Sequence, residues 1–254
     1  MDVDLLVLNL GNSRLAVGTF AAGELGQVIR TPHGRRDQWP AVIARQWEQI
    51  AAKEGATVVA ASVNPPLEDP LEQVIEQATG KSPAWVGRDI DLPIKVLTDE
   101  PQETGIDRIL NVAAAHEQMG KACVVVDAGT AITIDCCNDA GDFLGGAIAP
   151  GVSMMLDALH NHTAKLPRAA LETPQGTFGR STEQAILQGI YHGVRGMVKE
   201  LVERYATELG QWPETIATGG DAAKLFEGWE LVHAIAPDLT MYGIALAWAQ
   251  QQIE

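Results

Sequence analysis

Two stretches of this sequence end an apolar run at a polar residue and then reverse the chain around a glycine. Leu5–Leu10 leads into Gly11-Asn12-Ser13-Arg14 and back out through Leu15–Phe20, with Asn9 near the end of the first run. Ala122–Val126 leads into Asp127-Ala128-Gly129-Thr130 and out through Ala131–Cys137, with Asp127 in the place equivalent to Asn9. The chemistry of such a turn is specific. Glycine lets backbone approach an anionic group, the N–H and hydroxyl donors point at it, and an aspartate at the strand end can hold a cation. A lone Asp-x-Gly-Thr is most often just a hairpin. Two such turns facing one another can clasp a polyphosphate, and Thr218-Gly219-Gly220, following a later strand, adds a third bend of the same kind. Other reactive side chains are scattered. His160 and His162 stand two apart and cannot share a helix face, so they make no metal pair.

The elements that must position these turns follow from periodicity and breakers. Leu5–Leu10 and Leu15–Phe20 read as a hairpin, with Leu25–Thr31 as a third strand. Trp39–Ala52 has helical spacing and stops at Gly55; Thr57–Val63 is a strand; Pro70–Ala78 is a short helix ending at Gly80. Ala84–Val86 and Ile94–Leu97 read as short strands, and Gly105–Met119 as a helix stopped by Gly120. The second half opens with the strand Ala122–Val126. Ala131–Cys137 and Phe143–Ile148 form a hairpin around Asn138-Asp139-Ala140-Gly141. A helix follows Gly151 to about Leu159, Arg168–Gly179 is a loop, and Ser181–Leu209 is one long helix capped by Ser181. Thr215–Ala217 is a strand and Pro237–Gln251 the terminal helix. Gly189, Gly193 and Gly196 share one side of the long helix, which suits close helix–helix approach at a homodimer interface. The repeated strand–turn–strand opening implies an α/β fold of two matching halves, 1–120 and 121–254, with a cleft between them.

Composition removes several classes of function. The chain has 254 residues, 46% of them hydrophobic and 20% charged, which is globular composition. With 18 basic against 33 acidic residues its net charge is −15, so a broad nucleic-acid surface is excluded; anionic ligands remain open to local backbone donors and helix N-termini. Cys123, Cys136 and Cys137 make neither a disulfide framework nor a zinc pattern and read as buried free thiols of a reducing compartment. Acidic residues and no basic segment precede the first apolar run, so no signal peptide is read, and no stretch is long enough to span a membrane. A cytoplasmic protein is expected.

Seven segments in order carry a resemblance to a known family. They are Leu10-Gly11-Asn12-Ser13, Pro101-Gln102-Glu103-Thr104-Gly105-Ile106-Asp107-Arg108, Asp127-Ala128-Gly129-Thr130-Ala131 and Gly145-Gly146-Ala147-Ile148-Ala149-Pro150-Gly151. Phe178-Gly179-Arg180-Ser181-Thr182, Thr218-Gly219-Gly220 and Asp238-Leu239-Thr240 complete the set. The turns resemble the phosphate motifs of the superfamily of actin, sugar kinases and heat-shock chaperones, and nearly the whole chain resembles type III pantothenate kinases. The resemblance implies the duplicated ribonuclease-H-like fold of actin-like ATPases. It also implies transfer of the ATP γ-phosphoryl group to pantothenate, the first step of coenzyme A synthesis. By position, Asp107 is the proton acceptor, and Gly105, Ile106, Asp107 and Arg108 line the pantothenate site with Thr98 and Thr182, the last reaching across a homodimer. Asn9, Leu10, Gly11, Asn12, Ser13, Arg14, Leu15, Ala16 and Thr130 contact ATP. Mg2+ accompanies the nucleotide, and Asp127 binds a monovalent cation, K+ or NH4+.

The residues qualify that transfer of roles. Asp107 falls in a first helical turn, where the macrodipole favours its ionised form, so a weak ground-state base is expected; a loose phosphoryl transfer, in which the proton leaves late, tolerates this. Its bland alternative is a simple helix-start carboxylate, and for Arg108 a surface ion pair. The family pattern has Asp where this chain has Asn9, and tends to Tyr where it has Thr98. Those two departures motivate an alternative function, a nucleotide- or pantothenate-binding regulator of the same fold with weak or lost transfer.

Overall fold

A computed structural model describes residues 3–252. The chain forms two compact units, the first made of residues 1–95, 99–114 and 238–254 and the second of residues 96–98 and 115–237.

The first unit is built on a six-stranded sheet. β1 (Leu5–Leu10) pairs antiparallel with β2 (Arg14–Ala21), Leu10 opposite Leu15, so the reversal at Gly11–Arg14 is as tight as the sequence suggests. β3 (Glu24–Leu25) and β4 (Ile29–Pro32) both add to β2, replacing the single third strand expected over 25–31. The break between them comes at Gly26, whose N–H bonds to the Thr19 carbonyl. β5 (Thr57–Ser62) lies parallel to the other side of β1, and β6 (Ala84–Trp85) parallel to β5. A buried central strand needs apolar side chains on both faces, which is why Leu5–Leu8 is an unbroken run. Leu6, Leu8 and Leu10 pack with Trp39, Ile43 and Trp47 of α1 (Trp39–Trp47) and Leu71 and Ile75 of α2 (Glu68–Thr79). On the other face, Leu5 and Val7 pack with Leu110 of α3 (Ile106–Met119).

The second unit repeats this plan. β7 (Cys123–Ala128), β8 (Ala131–Cys137) and β9 (Phe143–Pro150) form an antiparallel meander. Asn138 closes its second turn by accepting from the Ala140 and Asp142 N–H groups. α4 (Val152–Asn161) follows directly, and α5 (Thr182–Leu209) starts where expected, the Ser181 hydroxyl accepting from the Gln184 N–H at 3.2 Å. β10 (Glu214–Thr218) and β11 (Ala234–Ile235) extend the sheet parallel to β7, with α6 (Ala222–Phe226) between them. β11 and α6 are too short to leave a periodic signal. The strand expected at Ile94–Leu97 is a single bridge, Val96 to Phe143. Gly189, Gly193 and Gly196 face open space, so within this chain they meet no other helix, and the side of α5 expected at a homodimer interface is uncovered.

The last helix, α7 (Leu239–Gln251), belongs to the first unit and packs Met241, Ile244 and Ala245 with Leu5 and Val7. Its backbone meets α3 directly: a Cβ on Gly243 would lie 2.2 Å from the Leu110 carbonyl oxygen. Helix propensity alone makes Gly243→Ala stabilising by about 1 kcal/mol, yet here overpacking governs the sign. The variant is expected to lose about 1–3 kcal/mol in urea unfolding, because two helical backbones must separate.

Candidate functional site

In the first unit, the parallel strands β1, β5 and β6 end on the same side, the place where open α/β sheets bind ligands. The turn Gly11–Arg14 emerges there. Its Gly11 N–H bonds to the Arg14 carbonyl at 3.1 Å, and the Gly11 and Ser13 carbonyls are tied down by a residue the sequence reading passed over. His33 donates from Nε2 to the Gly11 carbonyl at 2.8 Å and from its backbone N–H to the Ser13 carbonyl at 3.1 Å. In a trans peptide the N–H points opposite to the C=O. Holding the Gly11 carbonyl toward His33 therefore turns the Asn12 N–H the other way, and a turn with its carbonyls engaged presents donors to an anion. The signal that could have found His33 is its place just after β4, whose last residue, Pro32, pairs with Arg14.

Among the turn residues, Asn12, Ser13 and Arg14 are exposed, while Leu10, Leu15 and Ala16 are buried in the core. Those three can meet a ligand only through backbone. Asn9, between Ala16 and Ala61, buries its Oδ1, which has no hydrogen-bond partner. A buried, unsatisfied oxygen is costly unless a ligand's donor or a cation completes it. It is the observation in this unit that fits a bound cation or nucleotide.

The same unit carries Gly105-Ile106-Asp107-Arg108. Ile106 joins the core, pressed against Gly87, where a Cβ would lie 2.8 Å from Ile106 Cδ1. Asp107 stands in the first turn of α3 and accepts from the Arg108 N–H at 2.9 Å. Burial pushes the Asp107 carboxyl above the ordinary aspartate value, outweighing the Arg108 N–H and the Arg108 charge, which pull it down. This reverses the weak-base expectation: desolvation wins over the helix end. The sign for stability is direct. Folded protein holds a proton that the unfolded chain has released, so stability falls as pH rises from about 3.8, the ordinary aspartate value, through the raised one. The whole cost is present at neutral pH. Asp107→Asn is therefore expected to melt at or above the parent at pH 7. The gap should close as pH drops below the ordinary aspartate range, as a thermal-melt series on both proteins would read.

In the second unit, Asp127 sits near the end of β7, opposite Thr133 of β8 and Thr218 of β10. Two glycines flank its carboxylate. A Cβ on Gly219 would lie 2.4 Å from Asp127 Oδ1 and 2.6 Å from the Ala128 carbonyl oxygen, and one on Gly129 would lie 3.2 Å from Oδ1. Gly219 also has φ +93°, so backbone conformation and space both require glycine in Thr218-Gly219-Gly220. The Asp127 carboxylate is a hard oxygen donor and fits an alkali or alkaline-earth cation. Among the described residues no three His, Cys, Asp or Glu side chains form a metal cluster. Mg2+ needs no such cage, since one or two carboxylates plus substrate phosphates suffice.

Thr130 is exposed at the β7–β8 turn, with its carbonyl accepting from the Gly151 N–H. Thr98 lies beside Gly145, its Cγ2 3.7 Å from where a Cβ would stand, and Thr182 is exposed at the first position of α5. Cys123, Cys136 and Cys137 are buried free thiols, as expected. Burial pushes the Cys136 thiol up to about 12, and the hydrogen bond between the Cys123 and Cys137 sulfurs, 3.3 Å apart, together with burial pushes Cys123 up as well.

Comparison with known proteins adds independent findings. The family profile described as type III pantothenate kinase matches residues 5–204. A type III pantothenate kinase of Dehalococcoides mccartyi is 36% identical over 99% of this chain and 100% of its own. One of Gluconobacter oxydans is 37% identical over 95% of this chain and 92% of its own. Among solved structures, a Baf family protein from Campylobacter jejuni superposes with a TM-score of 0.63 at 20% identity, covering 98% of this chain and 100% of that one. MreB 5 of Spiroplasma citri bound to AMPPNP superposes at 0.50 with 11% identity, covering 100% and 98%. The likenesses place the two repeated α/β units in the duplicated actin-like fold.

Proposed function

The chain belongs to the type III pantothenate kinase family, and from that membership we propose how its own residues carry out ATP-dependent phosphorylation of pantothenate. The reaction moves the γ-phosphoryl group of ATP to the primary hydroxyl of pantothenate, leaving ADP and 4′-phosphopantothenate. The new bond joins the hydroxyl oxygen to γ-phosphorus, the bond to the β,γ-bridging oxygen breaks, and the hydroxyl proton goes to Asp107. The raised carboxyl of Asp107 is the observation that carries this assignment. A desolvated carboxylate accepts a proton more readily than a solvated one, and it orients the hydroxyl for in-line attack. Arg108, next along the helix, pairs with the pantothenate carboxylate, with Gly105, Ile106, Thr98 and Thr182 completing that site.

The backbone of Asn9–Ala16 and the Thr130 hydroxyl receive the phosphates. The Asn9 Oδ1, buried without a partner, and the Asp127 carboxylate are oxygens that would hold cations. A divalent cation bound with ATP supplies neutralisation of phosphate charge. Asn9 offers an oxygen without charge, so more of that neutralisation falls to backbone donors of the turn. Asp127 holds a monovalent cation, K+ or NH4+. The curated relatives compared above are named as kinases, which supports catalysis over the ligand-binding regulator. We also assign the chain to a cytoplasmic homodimer. Buried free thiols suit a reducing compartment, among the described residues no helix is long and apolar enough to cross a membrane, and the α5 glycine side is open to a second copy.

ADP release is expected to depend on pantothenate, and Asp107→Asn to lower kcat by about 10²–10⁴-fold with the fold intact, read by a coupled ADP assay and circular dichroism. Release of ADP without pantothenate, or full turnover by the variant, contradicts the reading. Exchanging K+ for tetramethylammonium should remove activity. Asp127→Asn should raise the K+ concentration for half-activation by about 10–100-fold.

A further inference from the structure

The segment Asp238-Leu239-Thr240 stands apart from the chemistry assigned above, although its residue types look like an ordinary helix start. Asp at an N-cap normally accepts from the N–H groups of the first turn, and Thr in a first turn can bond its own backbone. Neither does so here. Asp238 makes no capping bond with its side chain. Its carboxylate instead pairs with Arg30, 208 residues earlier in the chain. The Thr240 hydroxyl donates to Asn111 Oδ1 at 2.7 Å. Both polar groups of the segment are thus spent on other elements.

The two elements they reach are the ones that carry the reaction. Arg30 lies on β4 directly opposite Ala16 of β2, the strand that leaves the Gly11–Arg14 turn. Asn111 lies one helical turn after Asp107 on the same face of α3, and side chains in a helix lean toward its N-terminus, over the turn before them. Asn111 is 2% exposed, so its amide is a buried polar group whose orientation the Thr240 hydroxyl helps to fix. Three residues further along α7, Gly243 brings the helix backbones to contact at Leu110. A single helix start therefore holds the nucleotide-side strand with one hand and the turn beneath the acceptor carboxylate with the other.

We propose that Asp238 and Thr240 are positioning residues that fix the Asp107 turn of α3 relative to the β2–β4 edge, with the Thr240–Asn111 hydrogen bond as the specific link. The inference rests on the assignment of Asp107 as proton acceptor. Misplacing a catalytic group by a fraction of an ångström lowers the rate of the chemical step more than it lowers binding.

The test is steady-state kinetics with melting curves on Thr240→Val and on Thr240→Ala, which removes the same hydroxyl without setting a new methyl against Asn111. Both are expected to lower kcat by about 10–100-fold, with KM for ATP and for pantothenate within about twofold of the parent. Thr240→Ser, which keeps the hydroxyl, should recover most of the rate. Placed on Asp107→Asn, the Thr240 substitutions should cost little more, because they act through the group already removed. A kcat near that of the parent in both variants, no recovery by serine, or an undiminished loss on the Asp107→Asn background would each overturn the proposal. An inactive Asp107→Asn beside a fully active Thr240→Val defeats this inference alone, whereas a fully active Asp107→Asn defeats the acceptor assignment on which it rests.

Discussion

Asp107 begins a helix, accepts a backbone N–H and neighbours an arginine, three circumstances that favour a charged carboxylate, and burial still prevails over them. Much of the first unit can be understood as what it takes to keep a carboxyl short of water in a fixed place. Ile106 anchors the helix start against Gly87, Leu110 buries the next turn under β1, and α7 closes on the same turn through Gly243. A desolvated charge held this way costs stability at neutral pH. That cost is offset by the apolar faces of β1, whose leucines and valine are fully buried on both sides.

The two strand–turn–strand reversals differ in what surrounds them. In the first unit the turn is braced from outside, His33 occupying the carbonyls of Gly11 and Ser13 so that the Asn12 N–H faces the other way. In the second, space is the device: Gly219 and Gly129 leave room beside the Asp127 carboxylate that any side chain would fill. The polar residues at the strand ends differ accordingly. Asn9 is an amide with its Oδ1 unsatisfied, and Asp127 is a carboxylic acid side chain flanked by main chain.

An acidic protein that binds a polyanion must do so with local dipoles rather than with overall field. The net charge of −15 repels ATP at long range, but screening confines that repulsion to about 8 Å at physiological salt. Inside that distance, oriented N–H groups and bound cations decide the sign of the potential. On this ground the glycine turns, and not a basic patch, are what the proposed site is built from.

The sequence alone determined most local structure, because periodicity, caps and breakers act over a few residues. The β1–β2 reversal, the Asn138 turn, the Ser181 cap and the long α5 follow from such signals, and the order of seven motifs was enough to indicate family, fold and reaction. Tertiary structure decided the rest. The strand expected at Ile94–Leu97 is a lone bridge, the third strand divides at Gly26, and the α5 glycines meet nothing within the chain, since pairing and packing depend on distant partners. His33 gained its role only once β4 lay against β2, and α7 its place only when it returned to β1. The reversal at Asp107 has the same origin: a helix dipole can be read from neighbouring residues, whereas exclusion of water is a sum over every element that closes around the group.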